Sequence, residues 1–107
     1  MNQNTGGSFL SAETLDAIID IFVEEAPQQV LAIEEALARH DFETVGSISH
    51  KLRGSTEFLG TSTIASLATD VENAAKLGDV GQLESRVPKL LAEVRVLLEK
   101  LNTAETG

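Results

Sequence analysis

Eight apolar residues between Leu83 and Leu101 (Leu83, Val87, Leu90, Leu91, Val94, Leu97, Leu98 and Leu101) recur at steps of one, three and four. Only a helix puts all of them on one face. One helix cannot cover such a stripe itself, so the rest of the chain must supply helices to pack on it. The same period returns in Leu15, Ile18, Ile19 and Phe22, in Val30, Ile33, Ala36 and Leu37, and in Ile64, Leu67, Ala68, Val71, Ala74 and Ala75. Pro27 stands between the first two of these sets, where it suits the first turn of a new helix. The expectation is therefore a short first helix capped by Ser11 and a second one starting near Pro27 and ending at His40-Asp41. Thr14 occupies the position where a full capping box has Glu or Gln, so that box is imperfect.

A third helix is expected from about Asp41 to about Phe58, stopped by Gly60. Thr61-Ser62-Thr63 caps a fourth, which Gly78 ends. Asp79, with Gln82 three residues on, opens the fifth; Pro88 inside it marks a kink or a start close by. Short connections make successive helices antiparallel neighbours. The expected fold is all-α: an antiparallel up-down four-helix bundle over residues 9–103 with a short extra N-terminal helix across one end. Residues 1–8 and 104–107 are expected to be flexible tails.

Composition removes several function classes. The chain has 107 residues, room for one domain, and its 42% apolar content suffices for one core. It has no Cys, which excludes disulfides, thiolate zinc sites and thiol nucleophiles. With no Trp or Tyr and only four Phe, it lacks a platform for stacking bases. Its net charge of −9 repels phosphate backbones, so no nucleic-acid partner is expected. Seven acids, Glu13, Asp16, Asp20, Glu24, Glu25, Glu34 and Glu35, precede the first base, Arg39. No apolar run approaches the roughly 18 residues of a membrane span. Met1 to Ser8 has no base and no apolar centre, unlike a secretory signal. A cytoplasmic location without direct membrane contact is expected.

The third helix carries the functional information. With His50 at zero and about 100° per residue, Ile48, Leu52 and Leu59 fall near 180° and Val45 near 220°. His50 should then point almost directly away from the core. Gly46 and Gly54 lie one turn to either side of it, Ser47 and Arg53 at the three-residue spacing, and Glu43 and Glu57 two turns away on the same line. A helical glycine costs about 1 kcal/mol relative to Ala, and stability alone would favour Ala, Glu or Lys at both positions. Two glycines beside one exposed imidazole give clearance for another molecule to approach it.

Taken singly, these features have bland readings: a surface His, helix–helix glycines, and an Arg53–Glu57 pair at the four-residue spacing. Together they point to a site. A metal centre needs more ligands than His50 has nearby; the other histidine, His40, sits at a helix end, where an imidazole suits the negative terminus. There is no nucleophile elbow for a hydrolase triad. A neutral imidazole is a nucleophile near pH 7, can accept a phosphoryl group, and would have Arg53 one turn away to offset the charge.

The segment His50-Lys-Leu-Arg-Gly-Ser-Thr-Glu-Phe-Leu-Gly60 resembles the signature of histidine-containing phosphotransfer (HPt) domains: His, any residue, Leu, Lys, Gly, Ser, then Leu-Gly. Leu67-Ala-Thr-Asp-Val-Glu72 resembles the family's next apolar-plus-Glu segment, and Gly78-Asp79 its interhelical turn. The resemblance covers roughly Leu10 to Leu101. Arg53 departs from the usual Lys, which keeps the charge but replaces a point charge by a planar fork. The resemblance implies a helical bundle that takes a phosphoryl group from a receiver-domain aspartyl phosphate onto His50, through Nε2, and passes it to another receiver. It implies no autokinase activity and no ATP site, no cofactor of its own, and Mg²⁺ supplied by the receiver. Its partners would be receiver domains of response regulators or hybrid sensor kinases, met by a monomer. His50 would be the phosphoacceptor and Arg53 the phosphate's charge partner. Gly46, Ser47, Lys51, Gly54 and Glu57 would form the partner-binding surface, with Leu59 and Gly60 serving as core and helix stop.

Two other classes compete. Ser49-His-Lys-Leu-Arg53 also resembles the phosphoacceptor box of ATP-dependent histidine kinases, but Gly54-Ser55 replaces the Thr-Pro that follows it there. A kinase dimerisation fragment would be an obligate dimer of hairpins. A non-catalytic helical docking module would never be phosphorylated on His50.

Overall fold

Four helices, α1 (Ala12–Ala38), α2 (Phe42–Phe58), α3 (Ser62–Leu77) and α4 (Val80–Thr106), make up the computed structural model, which describes residues 11–106. Among the described residues there is no strand. Each helix packs on two neighbours, in a closed ring α1–α2–α3–α4. The expected tail 1–8 lies outside the described residues.

Local chemistry sets the helix ends. Ser11 Oγ accepts the Thr14 amide at 3.0 Å and donates to Thr14 Oγ1 at 2.9 Å, so Thr14 completes a reciprocal contact of its own. Asp41 caps α2, its Oδ1 accepting the Thr44 amide at 3.3 Å and its Oδ2 the Thr44 hydroxyl at 2.7 Å. These two bonds, the hydroxyl one first, hold the Asp41 carboxyl below its ordinary range. Asp79 Oδ1 accepts the Gln82 amide at 3.1 Å and opens α4. Thr61 behaves differently: its hydroxyl donates back to the Thr56 carbonyl at 3.0 Å rather than capping α3.

The C-terminal ends of α1, α2 and α3 close in one way, with a left-handed residue followed by an amide that reaches back to the last turn. The left-handed residues are His40 (φ 58°), Gly60 (φ 73°) and Gly78 (φ 65°). The returning bonds are Asp41 N–H to Ala36 O at 2.8 Å, Thr61 N–H to Thr56 O at 3.2 Å and Asp79 N–H to Ala74 O at 3.0 Å. His40 holds a conformation that glycine adopts freely, and its ring stacks on Phe42 with centroids 5.5 Å apart.

The expected break at Pro27 does not occur. α1 is one helix of 27 residues with Pro27 inside it, and the short extra N-terminal helix is its first half. Proline deprives the Val23 carbonyl of its helical donor and strains the turn, at a cost of about 3 kcal/mol. Against that, Phe22, Ala26, Val30, Ile33 and Ala36 form a single buried line across the proline, while Pro27 itself faces solvent. Breaking the helix would take Phe22 off that line. Pro88 is likewise exposed and interior to α4.

The core follows the expected apolar stripes of α3 and α4 and the Phe22-to-Ala36 line of α1, and departs from expectation on α2. Ile33 from α1, Val45 and Leu52 from α2, Val71 from α3, and Leu83, Leu90 and Val94 from α4 are fully enclosed. α2 also buries two small polar residues, Ser49 and Thr56. Thr56 is satisfied by donating to the Leu52 carbonyl at 2.7 Å, whereas Ser49 Oγ has no partner. The buried arc of α2 thus runs Val45–Ser49–Leu52–Thr56, centred near 230° on the wheel that puts His50 at zero. Ile48 and Leu59, expected at its centre, are half-buried at its edge. The whole helix is rolled by about 50° from the expected setting, which brings the His50 side toward α3.

Candidate functional site

α2 and α3 form a hairpin about the turn at Gly60-Thr61, so residues equidistant from that turn face each other. Gly46 meets Ala75 in this way, and His50 meets Glu72. The His50 side chain is 57% exposed and that of Glu72 14%. His50 Nδ1 lies 3.2 and 3.3 Å from the two Glu72 oxygens, and Lys76 Nζ lies 3.6 Å from the nearer of them. Nε2 has no protein partner among the described residues. An Nδ1–H that donates to Glu72 leaves the Nε2 lone pair free on the exposed side of the ring.

Arg53 does not pair with Glu57. It lies on the α3 side of α2, half-buried, with Nη2 3.2 Å from His50 Nδ1 and with Nε enclosed and unpartnered. The roll of α2 explains this: at about 300° on the wheel Arg53 overhangs the α2–α3 seam. The expected position one turn from His50 is observed, on the Nδ1 edge of the ring.

The two glycines beside His50 have different surroundings. A Cβ at Gly46 would stand 3.3 Å from the Ala75 Cβ, so Gly46 lets α2 and α3 approach. A Cβ at Gly54 would meet nothing within 4 Å. Nothing inside the fold therefore requires glycine at position 54, and the space it leaves opens to solvent.

One groove contains His50, and a second passes Gly54, one turn away. The first, of about 620 Å³, lies along α2 and α3 and is lined by Phe42, Gly46, Ser47, Lys51, Glu72 and Lys76 together with His50 itself. The other, of about 320 Å³, runs between α1 and α2 past Gly54 and Ser55, with Ile18, Ile21 and Phe58 on its walls. Ile21 is 55% exposed and Phe58 58%, large values for apolar residues beside a polar site. Ser47, Lys51 and Glu57 are exposed on the same face. Among the described residues no group of three or more His, Asp and Glu is arranged to hold a metal ion. No helix of the described residues is long and apolar enough to cross a membrane.

The Hpt domain model matches residues 17–104. The chain belongs to the Hpt family. No curated protein and no solved structure matches it significantly. The Hpt match spans α1 from its second turn through α4, and so contains every residue of the His50 face. Two features of the His50 face are not singled out by the sequence. Glu72 enters the sequence reading only within the Leu67–Glu72 motif, and nothing in the sequence marks the exposed apolar pair Ile21 and Phe58. Glu72 was accessible from the hairpin's symmetry about Gly60-Thr61 once α2 and α3 were recognised as antiparallel. Ile21 and Phe58 carry no chemistry a sequence pattern would flag; only their exposure singles them out.

Proposed function

We infer that this Hpt domain is a phosphorelay intermediate that accepts a phosphoryl group on His50 Nε2 from a receiver aspartyl phosphate and returns it to the aspartate of another receiver. The observation that carries the reading is the imidazole itself. Its Nδ1 is engaged by Glu72 while Nε2 is unpartnered on an exposed face, beside open space at Gly54.

From the tautomer with Nδ1–H on Glu72, the transfer step itself needs no proton movement. The Nε2 lone pair attacks phosphorus, the P–O bond to the aspartate breaks, and the carboxylate leaves with the electron pair. The phosphorylated ring carries a positive charge that the Glu72 carboxylate offsets through Nδ1–H. In the second step a receiver carboxylate attacks phosphorus, the P–N bond breaks, and the ring departs as neutral imidazole with Nδ1–H still in place. Mg²⁺ would come with the receiver and neutralise the phosphoryl oxygens.

Docking supplies the remaining groups. Lys51 and Lys76 flank the α2–α3 groove and suit the acidic rim of a receiver site on a protein otherwise rich in acids. Gly54 supports close approach, and Ile21 and Phe58 offer an apolar surface beside it. One chain closes its own core, in keeping with a monomer and unlike a kinase hairpin that must dimerise. The domain would act in the cytoplasm, either by itself or as a module of a hybrid kinase. The test is transfer in vitro from a panel of phosphorylated receivers with Mg²⁺. Acid-labile, base-stable label is expected on the wild type and not on His50→Gln, which should remain folded. Label on both proteins would remove His50 from its role, and no label from any receiver would favour a docking module.

A further inference from the structure

We propose that Arg53 gates the nucleophilicity of His50 by competing with Glu72 for Nδ1, and that an arriving phosphoryl group opens the gate by drawing Arg53 away. Both rivals touch one atom: Arg53 Nη2 lies 3.2 Å from Nδ1, and the Glu72 oxygens lie 3.2 and 3.3 Å from it. A ring nitrogen of neutral imidazole either carries a proton and donates or carries a lone pair and accepts. The Glu72 contact requires Nδ1–H. The Arg53 contact, whose donor is a guanidinium N–H, requires the Nδ1 lone pair. The two contacts therefore belong to two tautomers of His50.

Their consequences are opposite. With Nδ1–H held by Glu72, Nε2 has a free lone pair and can attack phosphorus. With Arg53 donating to Nδ1, the single ring proton sits on Nε2 and the exposed nitrogen has no lone pair to offer. Lys76, 3.6 Å from Glu72 Oε2, draws on the same carboxylate and weakens its claim on the ring. Lys51 lines the groove but makes no contact with the ring nitrogens.

The Arg53 hold is built to be released. Its guanidinium has no carboxylate partner among the described residues, and its Nε–H is enclosed without an acceptor. Such donors are unspent, and a phosphoryl dianion offers the bidentate acceptor a guanidinium fork prefers. As Arg53 turns to the phosphoryl oxygens, Nδ1 is left to Glu72. Nε2–H gives its proton to water and Nδ1 takes one from water, so the count is unchanged and the lone pair appears at Nε2. The ring becomes nucleophilic when its substrate is present and is protected when it is absent. Arg53 acts here as a positioning residue, through His50. The consequence for transfer rests on the phosphoacceptor reading above, whereas the tautomer competition does not.

The test uses the full chain without any receiver. Long-range ¹H–¹⁵N spectra of the neutral imidazole report the ratio of the two tautomers. The wild type is expected to show averaged shifts at both ring nitrogens, the mark of a mixture. Arg53→Met, which keeps the apolar stem over the seam, should move the ratio toward Nδ1–H by about tenfold, the size of one lost charge-assisted hydrogen bond. Glu72→Ala should move it the other way. A wild-type ring entirely in one form, with a ratio that Arg53→Met does not alter, overturns the gate. That result would leave phosphorylation of His50 standing, and a gate that behaves as expected in a protein no receiver labels would count against the function alone.

Discussion

Gly46 and Gly54 stand one turn to either side of His50, and a sequence treats them alike. The fold does not. Gly46 faces inward along the α2–α3 seam, where a Cβ would press on Ala75 at 3.3 Å. Gly54 faces open space on the other flank, beside the apolar groove of Ile18, Ile21 and Phe58. One glycine lets the bundle close, which holds Glu72 against His50; the other is free of any duty to the bundle and is left to whatever approaches the imidazole. A helix near an interaction site thus carries small residues for two reasons, and only the neighbour on the other side tells them apart.

The sharpest way to break this contrast is a bulky side chain at each position. Gly54→Leu should slow phosphoryl transfer by about 100-fold, the scale of a misplaced reacting pair, while urea unfolding shows no loss of stability. Transfer at the wild-type rate would mean that no partner approaches over Gly54. Gly46→Leu should do the reverse first, lowering stability by about 1–3 kcal/mol through overpacking against α3. Unfolding midpoints unchanged by that substitution would show that the seam yields freely.

Alanine gives a smaller and finer contrast. Gly54→Ala should raise stability by about 0.5–1 kcal/mol, since helix propensity improves and the methyl group meets nothing. The same gain at Gly46 is offset by the tight Ala75 contact, so Gly46→Ala should leave the thermal midpoint close to the wild-type value. Equal gains at both sites would erase the distinction.

The smallest effect concerns the end of α2 nearer Gly46. Its cap, Asp41, has a carboxyl held below the ordinary range by Thr44. A depressed carboxyl contributes stability that is complete above the unfolded-state value and is lost as pH falls through the folded one. Wild-type stability should therefore decline more steeply with acid, below about pH 4, than that of Asp41→Asn, which keeps a capping oxygen but does not titrate. Parallel pH profiles would remove Asp41 from the anchoring of that end.

Most of the bundle was legible because helical periodicity is a strong signal and the caps are local. Ser11 and Asp79 cap as expected, and Gly60 and Gly78 take the left-handed turns expected of helix stops, whereas Thr61 turns back to Thr56 instead of capping α3 and the Asp41 cap is a finding of the structure. Pro27 misled for a physical reason: the local rule that proline starts a helix was outweighed by one apolar line, Phe22 to Ala36, that packs only if the helix continues. The rotation of α2 was also hidden. Counting only large apolar residues put its inner face near Ile48, whereas the enclosed Ser49 and Thr56 show it lies closer to α3. Small hydroxyl side chains give no sequence signal of burial. That rotation is what brings Arg53 and Glu72 to the same ring nitrogen, so the site's residues were legible and their mutual arrangement was not.

The central claim is that His50 Nε2 is the atom that receives the phosphoryl group. The most direct measurement is the ³¹P–¹⁵N coupling pattern of the ¹⁵N-labelled chain after incubation with a phosphorylated receiver that labels it. A single phosphoramidate on Nε2 of His50 is the predicted result. Phosphorus bonded to Nδ1, which Glu72 and Arg53 cover, or to any other residue would contradict the account.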